Sequence, residues 1–190
     1  MIKIGLLGFS FSSHDPIDEP GPCNERLRRA VERIVRKIEK GVGIQKITPY
    51  TWDWYDLENW EQGPEISLVM AVQREIGCAL EESHSSKKIS PNLIINQHQT
   101  SNTALDPEEV VAQAAEFFRR EGVTIVVPVA HRFFRLEESK RLVKQAGFEV
   151  LSMPELIGKI GFDPKSKHWS TRGPLRSLYY ECFTFKRKDW

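Results

Sequence analysis

Two stretches of the chain share one grammar: a short apolar run, a polar loop, then an amphipathic helix closed by glycine. In the first, Leu93-Ile-Ile95 leads through a loop of amides, hydroxyls and one imidazole (residues 96–105) to Asp106-Pro107-Glu108-Glu109. Asp106 suits an N-cap, Pro107 suits the first helical position because its missing N–H has no partner there anyway, and Glu109 completes a capping box. The predicted helix runs from Pro107 to Glu121 and stops at Gly122. In the second, the β-branched run Val123–Val129 ends at Ala130-His131-Arg132, and Phe133 to Ala146 reads as a helix closed by Gly147. A parallel pair of strands needs a long crossover, usually a helix, so this alternation predicts a parallel sheet with helices on both faces.

The rest of the chain extends the pattern. Ile2–Leu7 reads as a strand stopped by Gly8, followed by a polar loop from Phe9 to Pro22. Asn24 can cap a helix over Glu25–Lys40, where Leu27, Ala30, Val31, Ile34, Val35 and Ile38 form one apolar face. Ile44–Thr48 reads as a second strand. Pro64–Leu80 reads as a second helix, with Ile66, Val69, Met70, Val72 and Ile76 inward. Phe148–Ser152 is a further strand, residues 153–171 are irregular, and a C-terminal helix spans about Pro174 to Phe185. The expectation is one domain over residues 1–190: a Rossmann-like three-layer α/β sandwich with a mainly parallel sheet of about five strands and right-handed crossovers.

Composition narrows the function classes. A formal net charge of +1 over 190 residues argues against a dedicated nucleic-acid binder, which carries a basic excess. Cys23, Cys78 and Cys182 form no CxxC pair, so neither a cysteine zinc site nor a disulfide framework is expected. The opening Met-Ile-Lys-Ile-Gly-Leu-Leu-Gly lacks the length and charged lead-in of a signal peptide. No stretch approaches the roughly 20 apolar residues that span a membrane. The expected setting is soluble and cytoplasmic.

In open α/β sheets ligands bind beyond the carboxyl ends of the strands. His98 and His131 are both predicted there; if their strands are neighbours, they open into one crevice. Imidazole titrates near neutrality, which suits an acid or base; the plain alternative is a loop histidine held by backbone hydrogen bonds. Gln97, Thr100, Ser101, Asn102 and Thr103 supply polar groups, and the helix beginning at Pro107 supplies free N–H groups for an anion. Arg26, Arg132 and Arg135 complete a set suited to phosphate or carboxylate. The imidazoles of His84, His98, His131 and His168 lack i, i+4 spacing, so no metal site is expected. No P-loop, nucleophile elbow or glycine-rich dinucleotide fingerprint is present. The stretch Pro49–Pro64 interleaves Tyr50, Trp52, Trp54, Tyr55 and Trp60 with four acids. It is open to three readings: a lid stacking on a planar ligand, a partner surface, or a self-packing plug. Because it follows the predicted second strand, it is expected to border the pocket.

These residues resemble the YdcF-like and SanA-like proteins, a domain family of unknown function. The resemblance rests on Gly8 after the first strand, Arg26 and Ala30, then Glu65, Met70 and Gly77, Asn102 and Thr103, His131, Gly147 and Val150, and Glu181. Gln97 stands where the family has glutamate, Thr100 where it has serine, and the stretch Thr48–Trp52 where it has Ser-Gly-Gly. Phe134 stands at the family's second arginine, with Arg135 one step on. The resemblance implies a Rossmann-like fold and a nucleotide-like ligand such as S-adenosylmethionine. Two functions follow as expectations. One is an enzyme, a transferase or hydrolase, acting on a phosphate- or nucleotide-bearing small molecule, with His131 or His98 as acid/base, Glu65 orienting a partner, and Gly8, Arg26, Gln97 and Thr100–Thr103 around the ligand. The other is a non-catalytic binding or regulatory protein using Trp52 and its neighbours, linked through the family to cell-envelope processes. Gln97, being neutral, leaves the expected ligand anionic or zwitterionic and the site independent of divalent metal.

Overall fold

In the computed structural model, which describes residues 2–11, 20–39, 66–83, 89–95, 106–132, 135–166 and 169–183, the first strand is the spine of the sheet. β1 (Ile2–Gly8) pairs in parallel with β2 (Ile66–Gln73) on one side and β4 (Ile125–Val129) on the other. β3 (Leu93–Ile95) extends the sheet beyond β2, and β5 (Glu149–Val150) extends it beyond β4. The order is β3-β2-β1-β4-β5, and every pairing is parallel. Ile4, Leu6, Val72, Val126, Val127 and Val129 are fully buried, as expected of strands covered on both faces.

Among the described residues, four α-helices link successive strands and two more follow the last strand. α1 (Gly21–Glu39) packs against α2 (Arg74–Glu81) and the single turn α5 (Pro154–Ile157); α3 (Pro107–Glu121) packs against α4 (Leu136–Gln145). α6 (Pro174–Phe183) follows a short 3-10 turn at Trp169–Arg172 and packs on that turn. The α/β three-layer expectation is therefore met. So is the start of α3: Asp106 accepts the Glu109 N–H at 3.0 Å, and the Glu109 carboxylate accepts the Asp106 N–H at 3.1 Å. Gly122 closes the same helix with φ +72, a left-handed value a side chain would strain. Gly5 serves packing instead, since a Cβ there would stand 2.9 Å from Val123 Cγ1 and 3.1 Å from Phe118 Cζ.

Three expectations are corrected. The helix predicted over Pro64–Leu80 is a strand as far as Gln73 and a helix only from Arg74. Its apolar residues are buried because β2 lies inside the sheet, not because they share a helical stripe. Asn24 does not cap α1, which starts at Gly21; it lies inside the helix, fully buried, and its Oδ1 accepts the Phe11 N–H at 3.0 Å. β3 and β4 are not neighbours but are separated by β2 and β1. The strand predicted at Ile44–Thr48 lies outside the described residues.

One polar network ties α1 to the chain after α2. Arg28 donates through Nε and Nη2 to the Glu25 carboxylate (2.8 and 2.6 Å) and through Nη1 to Glu32 (2.5 Å) and Ser83 Oγ (2.9 Å). Burial pushes the Glu25 carboxyl up, but the hydrogen bond and charge of Arg28 outweigh it and hold it below its ordinary value. A buried cation satisfied on all sides fixes a geometry, whereas the same cation unpaired would be costly.

Candidate functional site at the strand-order switch

The crossovers from β1 to β2 and β2 to β3 step outward in one direction. The crossover from β3 to β4 returns to the other side of β1. The chain segments leaving β1 and β4 therefore diverge, and the carboxyl ends of these two strands are the topological switch point. Phe9 continues the ladder by donating its N–H to Val129 O at 2.8 Å. Ser10 then donates through N–H (2.7 Å) and Oγ (3.1 Å) to Oε1 of Gln73, the last residue of β2. Phe11 is drawn onto α1 by Asn24.

His131, two residues beyond β4, sits at the centre of this region. It is 1% exposed. Its ring stacks on Phe11 with centroids 3.9 Å apart and lies 5.6 Å from the Phe162 ring. Nε2–H donates to Ile160 O at 2.9 Å. Burial pushes its pKa down from 6.5 to about 4, and the Ile160 carbonyl offsets part of that shift. The imidazole is thus neutral at neutral pH, with Nε2 carrying its proton toward a backbone acceptor.

Residues 153–163 form a strap across α1. Met153, Ile157 and Ile160 are its buried anchors. The Cys23 thiol donates to Gly161 O at 3.1 Å, Arg33 donates to Leu156 O (2.9 Å) and Ile157 O (3.3 Å), and Arg26 Nη1 reaches Lys159 O at 3.5 Å. Arg26, Arg132 and Lys159 are exposed. Arg132 and Lys159 adjoin the His131–Ile160 hydrogen bond in the chain, and Arg26 reaches the backbone of the strap beside it.

The other anticipated residues are placed as follows. Gly8 is the last residue of β1, and a Cβ there would meet Val72 Cγ1 at 2.9 Å, so its glycine is accounted for by contact with β2. Arg135 is paired with Glu138 at 2.8 Å in the first turn of α4. His98, Gln97, Thr100, Ser101, Asn102, Thr103, Trp52 and Glu65 lie outside the described residues. The topology still fixes where their segments attach. Residues 96–105 follow the carboxyl end of β3 at the sheet's edge, with β2 and β1 between that strand and β4. The described residues that flank segment 40–65, Glu39 at the end of α1 and Ile66 at the start of β2, are both at the amino edge. The strand expected at 44–48 and the aromatic stretch that follows it lie outside the described residues. Met70, matched to the family's second helix, is on β2.

Sequence reasoning missed Phe11, Asn24, Gln73 and the strap. Gln73 carried a usable signal, being the polar end of an apolar run, where a buried strand reaches the ligand edge. Among the described residues, no group of three or more His, Cys, Asp or Glu side chains could hold a metal ion, and no helix is long and apolar enough to cross a membrane. Among the described residues the fold is that of an all-parallel, Rossmann-like α/β protein with its switch point between β1 and β4. No family model, curated protein or solved structure matches the chain.

Proposed function

We propose that the chain binds a small phosphate-bearing molecule at the carboxyl edge of its sheet, over the β1–β4 switch. The observation that carries this reading is the trio Arg26, Arg132 and Lys159 around the His131–Ile160 hydrogen bond. Guanidinium and ammonium groups at such a crevice suit a phosphate, which accepts several charge-assisted hydrogen bonds. The amino end of α1 opens on the same edge, and its dipole favours negative charge there. The resemblance to YdcF-like proteins supports a nucleotide or S-adenosylmethionine as the rest of the molecule.

His131 acts in this reading as a positioning residue. Its Nε2–H is committed to Ile160, so its first task is to hold the strap that presents Lys159. Turnover through Nε2 would require that bond to open. This weighs binding above catalysis. Titration calorimetry at low salt with ATP, S-adenosylmethionine and inorganic phosphate tests the proposal. At least one should bind, and the R26A/R132A variant should bind about tenfold or more weakly, the loss of one or two charge-assisted contacts. Both substitutions are at exposed positions, so an unchanged melting temperature separates a lost contact from a lost fold. Binding that is equal in wild type and variant, or absent for all three probes, sinks the reading. Binding should also survive a chelator.

A further inference from the structure

The strap residues Leu156-Ile-Gly-Lys-Ile-Gly-Phe162 include no acid. Five of their carbonyl oxygens accept hydrogen bonds from side chains of the body. Arg33 donates to Leu156 O and Ile157 O, Arg26 to Lys159 O, His131 Nε2–H to Ile160 O and the Cys23 thiol to Gly161 O. A trans peptide is planar, so the N–H of each residue points opposite to the carbonyl before it. The carbonyls of Ile157, Lys159 and Ile160 face α1 and His131. The N–H groups of Gly158, Ile160 and Gly161 therefore face the other way. Among the described residues, nothing accepts a hydrogen bond from any of the three.

The backbone is held in this shape at some cost. Gly158 has φ +71 and ψ −164, a conformation open in practice only to glycine. Packing would admit a side chain there, since a Cβ would meet only Arg33 Nη2, at 3.7 Å. Turned-out N–H groups on neighbouring residues form a concavity suited to an anion. Lys159 is exposed on the same turn and adds an ammonium. The carboxylates on either side are engaged: Glu155 pairs with Lys37 at 3.4 Å, and Asp163 Oδ1 accepts the Lys165 N–H at 3.0 Å.

We infer that the strap is a phosphate cradle, in which the Ile160 N–H, the Gly161 N–H and the Lys159 ammonium each take one oxygen of a terminal phosphate. This rests on phosphate binding at the switch point and names the donors. A terminal phosphate offers three free oxygens and a diester only two, so the ligand class is a phosphate monoester or the end of a polyphosphate chain. Backbone amides suit that group, because a hydrogen bond to an anion is strengthened by its charge without burial of a second charge. His131 then acts through the backbone, by aiming the Gly161 N–H.

Amide NMR of the full chain, titrated with inorganic phosphate at low salt, tests the cradle. The Ile160 and Gly161 amide protons should move downfield, because a proton shared with an anion is deshielded, and should saturate with the affinity that calorimetry gives. K159A should bind phosphate about tenfold more weakly, the loss of one charge-assisted contact, yet both amides should still move at saturation. Dimethyl phosphate, a diester with one charge, should bind wild type about tenfold or more weakly than inorganic phosphate does. Amides that stay in place while the Arg26 and Arg132 Nε–H signals move would leave the switch-point reading standing and overturn the cradle. Equal affinity for dimethyl phosphate, or K159A amides that no longer respond, overturns it as well. No heat and no shift with phosphate removes the switch-point reading itself, and the cradle with it.

Discussion

The switch point and α6 invert the usual partition of side chains in opposite senses. At the switch, a titratable imidazole is buried under two phenylalanines and a backbone carbonyl. On α6, two leucines and a tyrosine face water. Burying a polar group costs free energy unless it is hydrogen-bonded, as His131 is to Ile160 O, and exposing apolar surface forfeits its burial. The two are not equivalent, however. His131 is tied to three separate parts of the chain, through Phe11, Ile160 and Phe162, so its burial contributes to the fold. Leu175 supports nothing beneath it. The first inversion should be felt in stability, the second hardly at all.

Removing the imidazole should have the largest effect. H131A deletes a stacked ring and its hydrogen bond and should cost about 3–5 kcal/mol in urea denaturation, as large-to-small core substitutions do. A loss below about 1 kcal/mol would show that the strap repacks freely and would erase the contrast.

Next in size is a pH dependence. The folded pKa of His131 is about 4 against an ordinary 6.5, so between these values the unfolded chain binds the proton more readily. The neutral imidazole costs nothing extra above pH 6.5, and stability falls as pH drops from there toward 4. The loss amounts to about 3 kcal/mol by linkage. H131Q should remove this part of the pH profile, and an unchanged acid limb in that variant would assign the slope to other groups.

N24A leaves the buried Phe11 N–H without its side-chain acceptor and should cost about 2 kcal/mol. Measured beside H131A, it should show a shared loss, because both act on Phe11; simple additivity in the double variant would mean that the two contacts are independent. At the other pole, L175S should shift stability by no more than about 0.5 kcal/mol, the range for an exposed position. A larger loss in thermal melts would place Leu175 in the core and undo the inversion on α6.

What the sequence made legible follows the same division between local and distant causes. The capping box at Asp106–Glu109, the Gly122 stop and the apolar run Val123–Val129 are local patterns; the first two appeared where expected, and the run forms a strand from Ile125 to Val129. β2 was misread because a central strand buried on both faces has no alternation. Ile66, Val69, Met70, Val72 and Ile76 fit a helical stripe equally well, and no loop separates Gln73 from Arg74 to mark the change. His131 could be placed beyond a strand, but its partners are Phe11 and Ile160, one of them on the far side of the chain in sequence. No motif spacing reports such a contact.

The place of β1 in the sheet sets a timetable as well as a geometry. Ile4 pairs with Leu68 on one side and with Ile125 on the other. A ribosome must add 121 further residues after Ile4 before that second partner exists, which takes on the order of ten seconds. Throughout that interval one edge of β1 lacks its native neighbour, and parallel pairings over such separations are slow even once both strands are made. The growing polypeptide is thus most vulnerable to aggregation at its central strand, and a holdase chaperone that shields Ile2–Gly8 during synthesis should raise the yield of native protein more than one added after release.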